Sequence, residues 1–525
     1  MSDSAAHSPT ARLGTITAIL VVTIAAIGFL FDTYELLMFP VIGRDAISEL
    51  KFQKGSSALT PEERVVVQVW GGRMLWIAAL AGGACGLVGG WLIDRLGRKT
   101  IMIVSILAYS ISPVAAAFST ELWMLVLFRC TTFIGVCVEM VAAVTWLAEL
   151  FEDKRTREII IGWTLATASL GGILVTEVFN LIVEAARTGH LPAVPFPEGH
   201  MPDNVAWRFT LLTGLIPGAA ILLLIPFVPE SGVWKRKKLD GTLKRPSFRE
   251  LFSPALLRTT LVTTVLSACG YAAAFGAIQM TPLNITPGLP DIVAKTDKAK
   301  EAVLLAQARV KAAKDFPEPV PNDAEEQLKA AKAVQREAAQ EVRARSGNIQ
   351  RWQEIGGLAG RILLAVLLLF VPSRTLIRLF LVPGVILLPL TYFRLVNAEY
   401  TIFATAIFFC GLLTVAQFSF LSEFLPRVFP MHLRGTGGSF ATNFGGRMIG
   451  TMAATLNTEL LSKAFTGLAP PMQVAAAAGV IGGAVYLIAL LASFLLPAPH
   501  AEVEKQVKIY GRDEALLEPE AETVD

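Results

Sequence analysis

Apolar residues run along this chain in blocks long enough to cross a lipid bilayer, separated by polar breaks. A spanning helix needs about 20 mostly apolar residues. Such blocks recur at Ile16 to Val41, Trp70 to Ile93, Ile101 to Ser119, Leu122 to Ala148, Ile159 to Val183 and Trp207 to Val228. After a charged break they resume at Leu256 to Pro282, Glu354 to Val371, Leu376 to Leu395, Tyr400 to Leu421, Gly435 to Leu461 and Gln473 to Leu496. The pattern predicts an all-α integral membrane protein of about twelve transmembrane helices, about six on each side of the break.

The break divides the chain into two similar bundles, the arrangement expected if they rock about a central site. The predicted boundaries are an N-terminal tail over 1–16, a first bundle over 17–228, a linker over 229–255, a second bundle over 256–496 and an acidic, solvated tail over 497–525. An insertion over 284–350 interrupts the second bundle. Between Asp291 and Ser346 it is rich in Ala, Lys, Glu and Gln, and Pro317-Glu318-Pro319-Val320-Pro321 makes a hinge near its middle. Val303, Ala306 and Val310 on one side, and Leu328, Ala331, Val334, Ala338 and Val342 on the other, recur at helical spacing, so the arms are expected to zip into a hairpin. Two roles suit it: a cap over the outer mouth, or an arm that docks an extracytoplasmic partner.

Composition supports the membrane reading and charge orients it. The chain is 53% hydrophobic and 17% charged, with a mean hydropathy of +0.55, more apolar side chain than a soluble fold of this size hides. The net charge of +3 points to no polyanionic partner such as nucleic acid. Its distribution is informative: Arg95, Arg98 and Lys99 follow the second block, and Lys235, Arg236, Lys237, Lys238, Lys244, Arg245 and Arg249 fill the central break. Basic loops face the cytoplasm, which puts both termini there, and the Ala- and Leu-rich composition fits a bacterial inner membrane. The first block outruns a signal-peptide core and is read as a retained span. Cys85, Cys130, Cys137, Cys269 and Cys410 fall within spans without metal-ligand spacing, so neither a disulfide framework nor a metal or cofactor is expected.

Ionisable groups inside a span are expensive and mark pathways or partners. Asp32 and Glu35 lie about one turn apart on one helix face. A buried carboxylate that is desolvated and near a cation can load and release a proton, which nominates Asp32 first, Glu35 second and Glu139 as a further proton-coupling residue. Arg129 and Glu139 are about 15 Å apart along their helix, so each needs another partner. Arg129 suits an anionic substrate or the neutralisation of Asp32. Glu177, Asn180, Gln279, Gln417, Asn443 and Arg447 complete the expected substrate-binding set, although interhelical hydrogen bonding suits them equally. Gly82, Gly86, Gly90, Gly356 and Gly360 read as small faces for close helix packing.

The run Gly89-Gly90-Trp91-Leu92-Ile93-Asp94-Arg95-Leu96-Gly97-Arg98-Lys99 resembles the loop signature of the major facilitator superfamily. Phe128-Arg129 through Gly135, with Glu139, Glu149, Arg155 and Arg157, resembles the fourth span and following loop of its sugar, aromatic-acid and organic-anion branches. Pro229-Glu230-Ser231 with Trp234 is similar to the motif after their sixth span, and Glu423, Pro426, Arg434, Gly435, Gly437 and Arg447 look like the second-half counterpart of the fourth-span pattern. The aromatic-acid branch also carries acidic residues at a similar place in its first span. The resemblance implies a conformational latch built from Gly90, Asp94, Arg95, Gly97, Arg98, Lys99, Glu149, Arg155, Glu423 and Arg434. The loop Pro372-Ser373-Arg374-Thr375 lacks the Gly and Asp, which puts a second-half latch in doubt.

These readings lead to a monomeric secondary transporter working by alternating access, expected to be a proton symporter of an organic acid, aromatic acids among the candidates, with substrate and protons as its partners. A sugar porter or facilitated carrier is the alternative in the same class; against it, the seventh span has the single Gln279 where sugar porters usually show a glutamine pair. A membrane enzyme would need a general base or ligand set, and the five histidines form none. A non-transporting sensor would be expected to carry an added signalling domain, and the hairpin is the one added segment.

Overall fold

A computed structural model describes residues 15–497 except 152–153, 202–203, 228–229, 231–234, 236–238, 240–247, 315–321, 369 and 431–432. The hinge at Pro317 to Pro321 and the acidic tail therefore lie outside the described residues. So do the side chains of Gly90, Asp94, Glu149, Arg155 and Arg434.

The first half comprises α1 (Thr15–Phe52), α2 (Pro61–Leu96), α3 (Arg98–Ala117), α4 (Leu122–Leu150), α5 (Lys154–Thr188), and a broken pair, α6 (Ala206–Leu212) and α7 (Leu215–Leu224). The second comprises α8 (Leu257–Ala273), α9 (Pro290–Lys314), α10 (Asn322–Leu367), α11 (Ser373–Phe393), α12 (Tyr400–Val428), the short α13 (Arg434–Ser439) and α14 (Pro470–Ser493). No strand occurs among the described residues. Among the described residues, eight helices are long and apolar enough to cross a membrane. The other predicted spans correspond to α5, the α6–α7 pair, α10 and the segment that α13 opens, each of them broken or carrying polar turns.

Local chemistry explains these ends and breaks. At the start of α2, Thr60 Oγ1 accepts from Glu63 N at 3.2 Å and Glu63 Oε2 accepts from Thr60 N at 2.8 Å, a reciprocal capping box with Pro61 in the first turn. Between α6 and α7, Pro217 withholds the N–H that would bind Thr213 O. Ile216 N donates to Thr213 O instead, at 3.1 Å, and Thr213 Oγ1 bonds Thr210 O and Tyr34 Oη, both at 2.6 Å. Beyond α8 the chain widens into π turns over Ala274–Ile278 and Thr281–Ile285, where Pro282 and Pro287 remove donors from the α ladder. The segment from α13 to residue 464 is largely π, over Phe440–Ile449 and Leu456–Leu461. Its Gly445 and Gly450 let it cross α8 closely, against the carbonyls of Thr264 and Ala268.

Three expectations are corrected here. The first helix does not end near Val41 but continues to Phe52, because Arg44, Asp45, Ser48 and Glu49 remain helical and spend their polarity on buried partners. The second hairpin arm and the eighth span, expected to separate near 350, form the single 46-residue α10. A polar stretch does not end a helix when its side chains are satisfied; here Gly347 sits against Asn180 and Gln350 Nε2 donates to Leu37 O at 2.9 Å. Finally, Val334 is 53% exposed rather than zipped, since spacing of three residues drifts off the buried face, whereas Ala338 and Val342 are buried as expected, joined by Ala339.

The hairpin roofs one end of the bundle. Arg64 Nη2 donates to Asp297 Oδ1 at 2.7 Å and Lys300 Nζ to Leu59 O at 3.1 Å. Both ends of the described chain lie at the opposite, far end, where Arg258 Nε and Arg374 Nε hold the carbonyls of Leu495 and Pro497, each at 3.0 Å. The degenerate loop after α10 thus binds the end of α14.

Candidate functional site

The two halves meet along α2 with the α13–464 segment and along α5 with α10. At mid-depth on this seam lie carboxylates and guanidiniums buried from both sides. Asp32 is 7% exposed and Glu35, Glu139 and Asn443 are fully buried, while Arg129 and Arg447 keep 3% and 5% exposure. Burial of so many charges in an apolar bundle is tolerated only when they compensate one another or serve a pathway.

They fall into two groups. In the first, the Asp32 and Glu139 carboxyls are neighbours, with Glu139 against Gly28 one turn before Asp32, and among the described residues no donor reaches their oxygens. Arg447 attracts Asp32 from the second half. Its Nη1 donates to Asn443 Oδ1 at 2.6 Å, and Asn443 Nδ2 donates to Ser439 Oγ at 3.0 Å. In the second group, Arg129 attracts the Glu35 carboxyl and donates from Nη1 to Glu35 O at 3.2 Å. Its guanidinium lies over the rings of Phe39 and Phe133, at 5.4 and 5.1 Å, a cation–π cradle. So Arg129 serves Glu35, and the cation facing Asp32 is Arg447.

A further buried carboxylate on the seam escaped the sequence reading. Glu354 of α10 is 6% exposed, accepts from Gln353 Nε2 at 2.8 Å and is attracted by Arg361. Its signal was an acid followed by Arg361 two turns on, along one face, hidden because the residue stood at the edge of a polar insertion. Three of these acids press on glycines of another helix: Glu139 on Gly28, Glu35 on Gly214 and Glu354 on Gly172.

The other expected binding residues disperse. Glu177 pairs with Arg351 at 2.5 Å across the seam and is partly exposed, and Asn180 lies against Gly347 toward the hairpin. Gln279 and Gln417 are 3% and 4% exposed; Gln279 Oε1 has no partner, and Gln417 reaches Tyr486. Of the latch residues whose side chains are described, Arg98 Nη1 donates to Ile93 O at 3.2 Å, and Glu423 pairs with Arg427 one turn on. Glu230, from the motif after the first bundle, accepts from the backbone N–H groups of Arg98 and Lys99 at 3.1 Å. It therefore caps α3 from a distance, just past Gly97, whose φ of 101° only glycine adopts freely. Among the described residues no three His, Cys, Asp or Glu side chains gather as a metal site, and all five cysteines are free.

Residues 19–251 match the family model described as sugar (and other) transporter. The fold matches the crystal structure of a D-xylose-proton symporter with a TM-score of 0.61 at 14% identity, over 92% of this chain and 99% of that one. The chain has the fold of the major facilitator transporters. It is accordingly a multi-pass membrane protein. A bacterial homologue of the lysosomal transporter Spinster shares this facilitator fold, with a TM-score of 0.54 at 13% identity over 92% of this chain and 98% of that one. Among curated relatives, the probable 4-methylmuconolactone transporter of Cupriavidus pinatubonensis is 25% identical over 46% of this chain and 49% of its own. The cis,cis-muconate transport protein of Acinetobacter baylyi is 26% identical over 37% and 44%, and the arabinose-proton symporter of Bacillus subtilis 27% over 31% and 34%. The chain thus spans half or less of the length of these relatives.

Proposed function

We propose that this facilitator carries a small organic acid anion together with protons by alternating access. The observation that carries the reading is the Asp32–Glu139 carboxyl pair in the first half with Arg447 of the second half facing Asp32. Two carboxylates in contact within a low-dielectric bundle hold a shared proton more readily than two charges. Taking up that proton weakens the attraction of Asp32 for Arg447, which loosens one half from the other and frees a guanidinium fork for a carboxylate. Arg129, held by Glu35, offers a second such fork. Binding and protonation then act on the same seam, as a symporter requires. The hairpin marks the outer side on this reading, where Arg343–Asp45 and Arg73–Glu459 pairs cross the seam.

The muconate and methylmuconolactone relatives favour an unsaturated or aromatic acid. The buried amides Gln279, Gln417 and Asn443 favour the second reading, a sugar porter, because such groups suit hydroxyls. Uptake into proteoliposomes under an imposed inward proton gradient separates the two. Labelled muconate, benzoate, a short aliphatic carboxylate and a pentose are compared, with empty liposomes subtracting passive acid. Acid uptake that a protonophore abolishes supports the proposal; pentose uptake alone replaces it with the second reading, and no uptake of any probe leaves neither.

A further inference from the structure

At the hairpin end, well away from the central carboxylates, a cavity of about 90 Å³ opens on the seam. Arg44 of α1 and Arg64 and Gln68 of α2 line it from the first half, and Asn284 and Pro471 from the second. No carboxylate lines it.

Its electrostatics are one-sided. Arg64 has one acid, Asp297. Arg44 has the carbonyl of Ser56 at a long 3.4 Å; its neighbour Asp45 attracts it but bonds to Arg343, at 2.5 Å. The two guanidiniums repel one another, and the Nε of each is buried without an acceptor. Gln68 is 8% exposed and bonds to no side chain or carbonyl among the described residues. Asn284, 2% exposed, donates to the sulfur of Met280 at 3.4 Å, a weak acceptor. Like charges with unused donors in a common cavity are costly unless an anion takes them up.

We propose that this cavity is a binding site for a compact oxyanion, held by Arg44, Arg64 and Gln68. The volume suits an ion of the size of sulfate or phosphate, or the terminal carboxylate of a larger acid, which presents the same oxygen face. Because the walls come from both halves, the bound anion bridges them and strengthens the closed hairpin end. This site is separate from the central one, and its existence does not depend on the transport reading.

The test is thermal unfolding of the full chain in detergent at constant ionic strength. Sulfate, phosphate and benzoate are each titrated against a bulky morpholino sulfonate that the cavity does not admit. A saturable rise in midpoint with sulfate or phosphate, weakened at least tenfold in apparent affinity by Arg44→Gln and by Gln68→Leu, supports the proposal. Saturation by benzoate alone, with the same dependence on Arg44 and Gln68, supports it with a carboxylate as occupant. Should Arg44→Gln fail to fold, Gln68→Leu, which keeps the charge and bulk of the site, decides alone. Equal responses to all anions, or responses unchanged in Gln68→Leu, overturn it.

Discussion

Asp32 and Glu35 stand three residues apart on α1, yet the turn between them is enough to give them different company: Glu139 and Arg447 for the one, Arg129 for the other. Their roles divide accordingly. Asp32→Asn mimics the protonated acid and is expected to abolish pH-gradient-driven accumulation while leaving exchange of labelled for unlabelled solute; full accumulation by the variant removes Asp32 from the coupling. Gly28 lies so close to the Glu139 carboxyl that any Cβ there overlaps it. Gly28→Val is therefore expected to cost about 1–3 kcal/mol through overpacking and to impair accumulation along with it, read as a lower unfolding midpoint in detergent. A variant as stable and active as the parent would show that the carboxyl moves aside freely. Ionisable residues inside apolar runs were visible in the sequence, which is how Asp32, Glu139, Arg129 and Arg447 were found. Their pairing was not, because it depends on how each helix is rotated against its neighbours, and that is set by packing.

At the level of elements, uninterrupted apolar blocks such as α3 and α4 were legible nearly to their ends, since the chain has one way to satisfy its backbone in lipid. The breaks were not. The π turns over Phe440–Ile449 leave no mark on hydropathy, and the polar Arg44 to Glu49 turns of α1 read as a loop until Arg343, Asn204 and Arg208 are seen to bind them. The cap on α3 was also out of reach, because Glu230 stands 132 residues from Arg98. Glu230→Gln keeps the shape and removes the charge that faces the N-terminal end of the helix dipole. It is expected to cost about 0.5–2 kcal/mol, measured by thermal unfolding, and an unchanged midpoint would mean that solvent serves those N–H groups equally well.

Across the whole molecule, the described ion pairs that cross the seam gather toward the hairpin. Arg343 binds Asp45 at 2.5 Å and Asn204 at 2.6 Å, and Arg73 binds Glu459 at 2.5 Å, while within the first half Asn204 and Arg208 brace Glu49 at 2.8 Å. Removing one partner of a buried pair strands the other charge, at a cost of about 3–5 kcal/mol. Arg343→Ala is thus expected to shift the population toward a form open at the hairpin end, seen as longer spin-label distances between α2 and α9; unaltered distances would place the clasp elsewhere. The length of α10 gives this clasp a further meaning. From Asn322 to the buried Ala338 the helix runs roughly 24 Å, without a joint between its tip and Glu354. If the halves rock as proposed, this helix is a rigid pointer fixed to the second half, so a small tilt beside the buried charges becomes a larger displacement at the tip. A fluorophore there would trace the rocking of the bundle in real time, from outside the lipid, turnover by turnover.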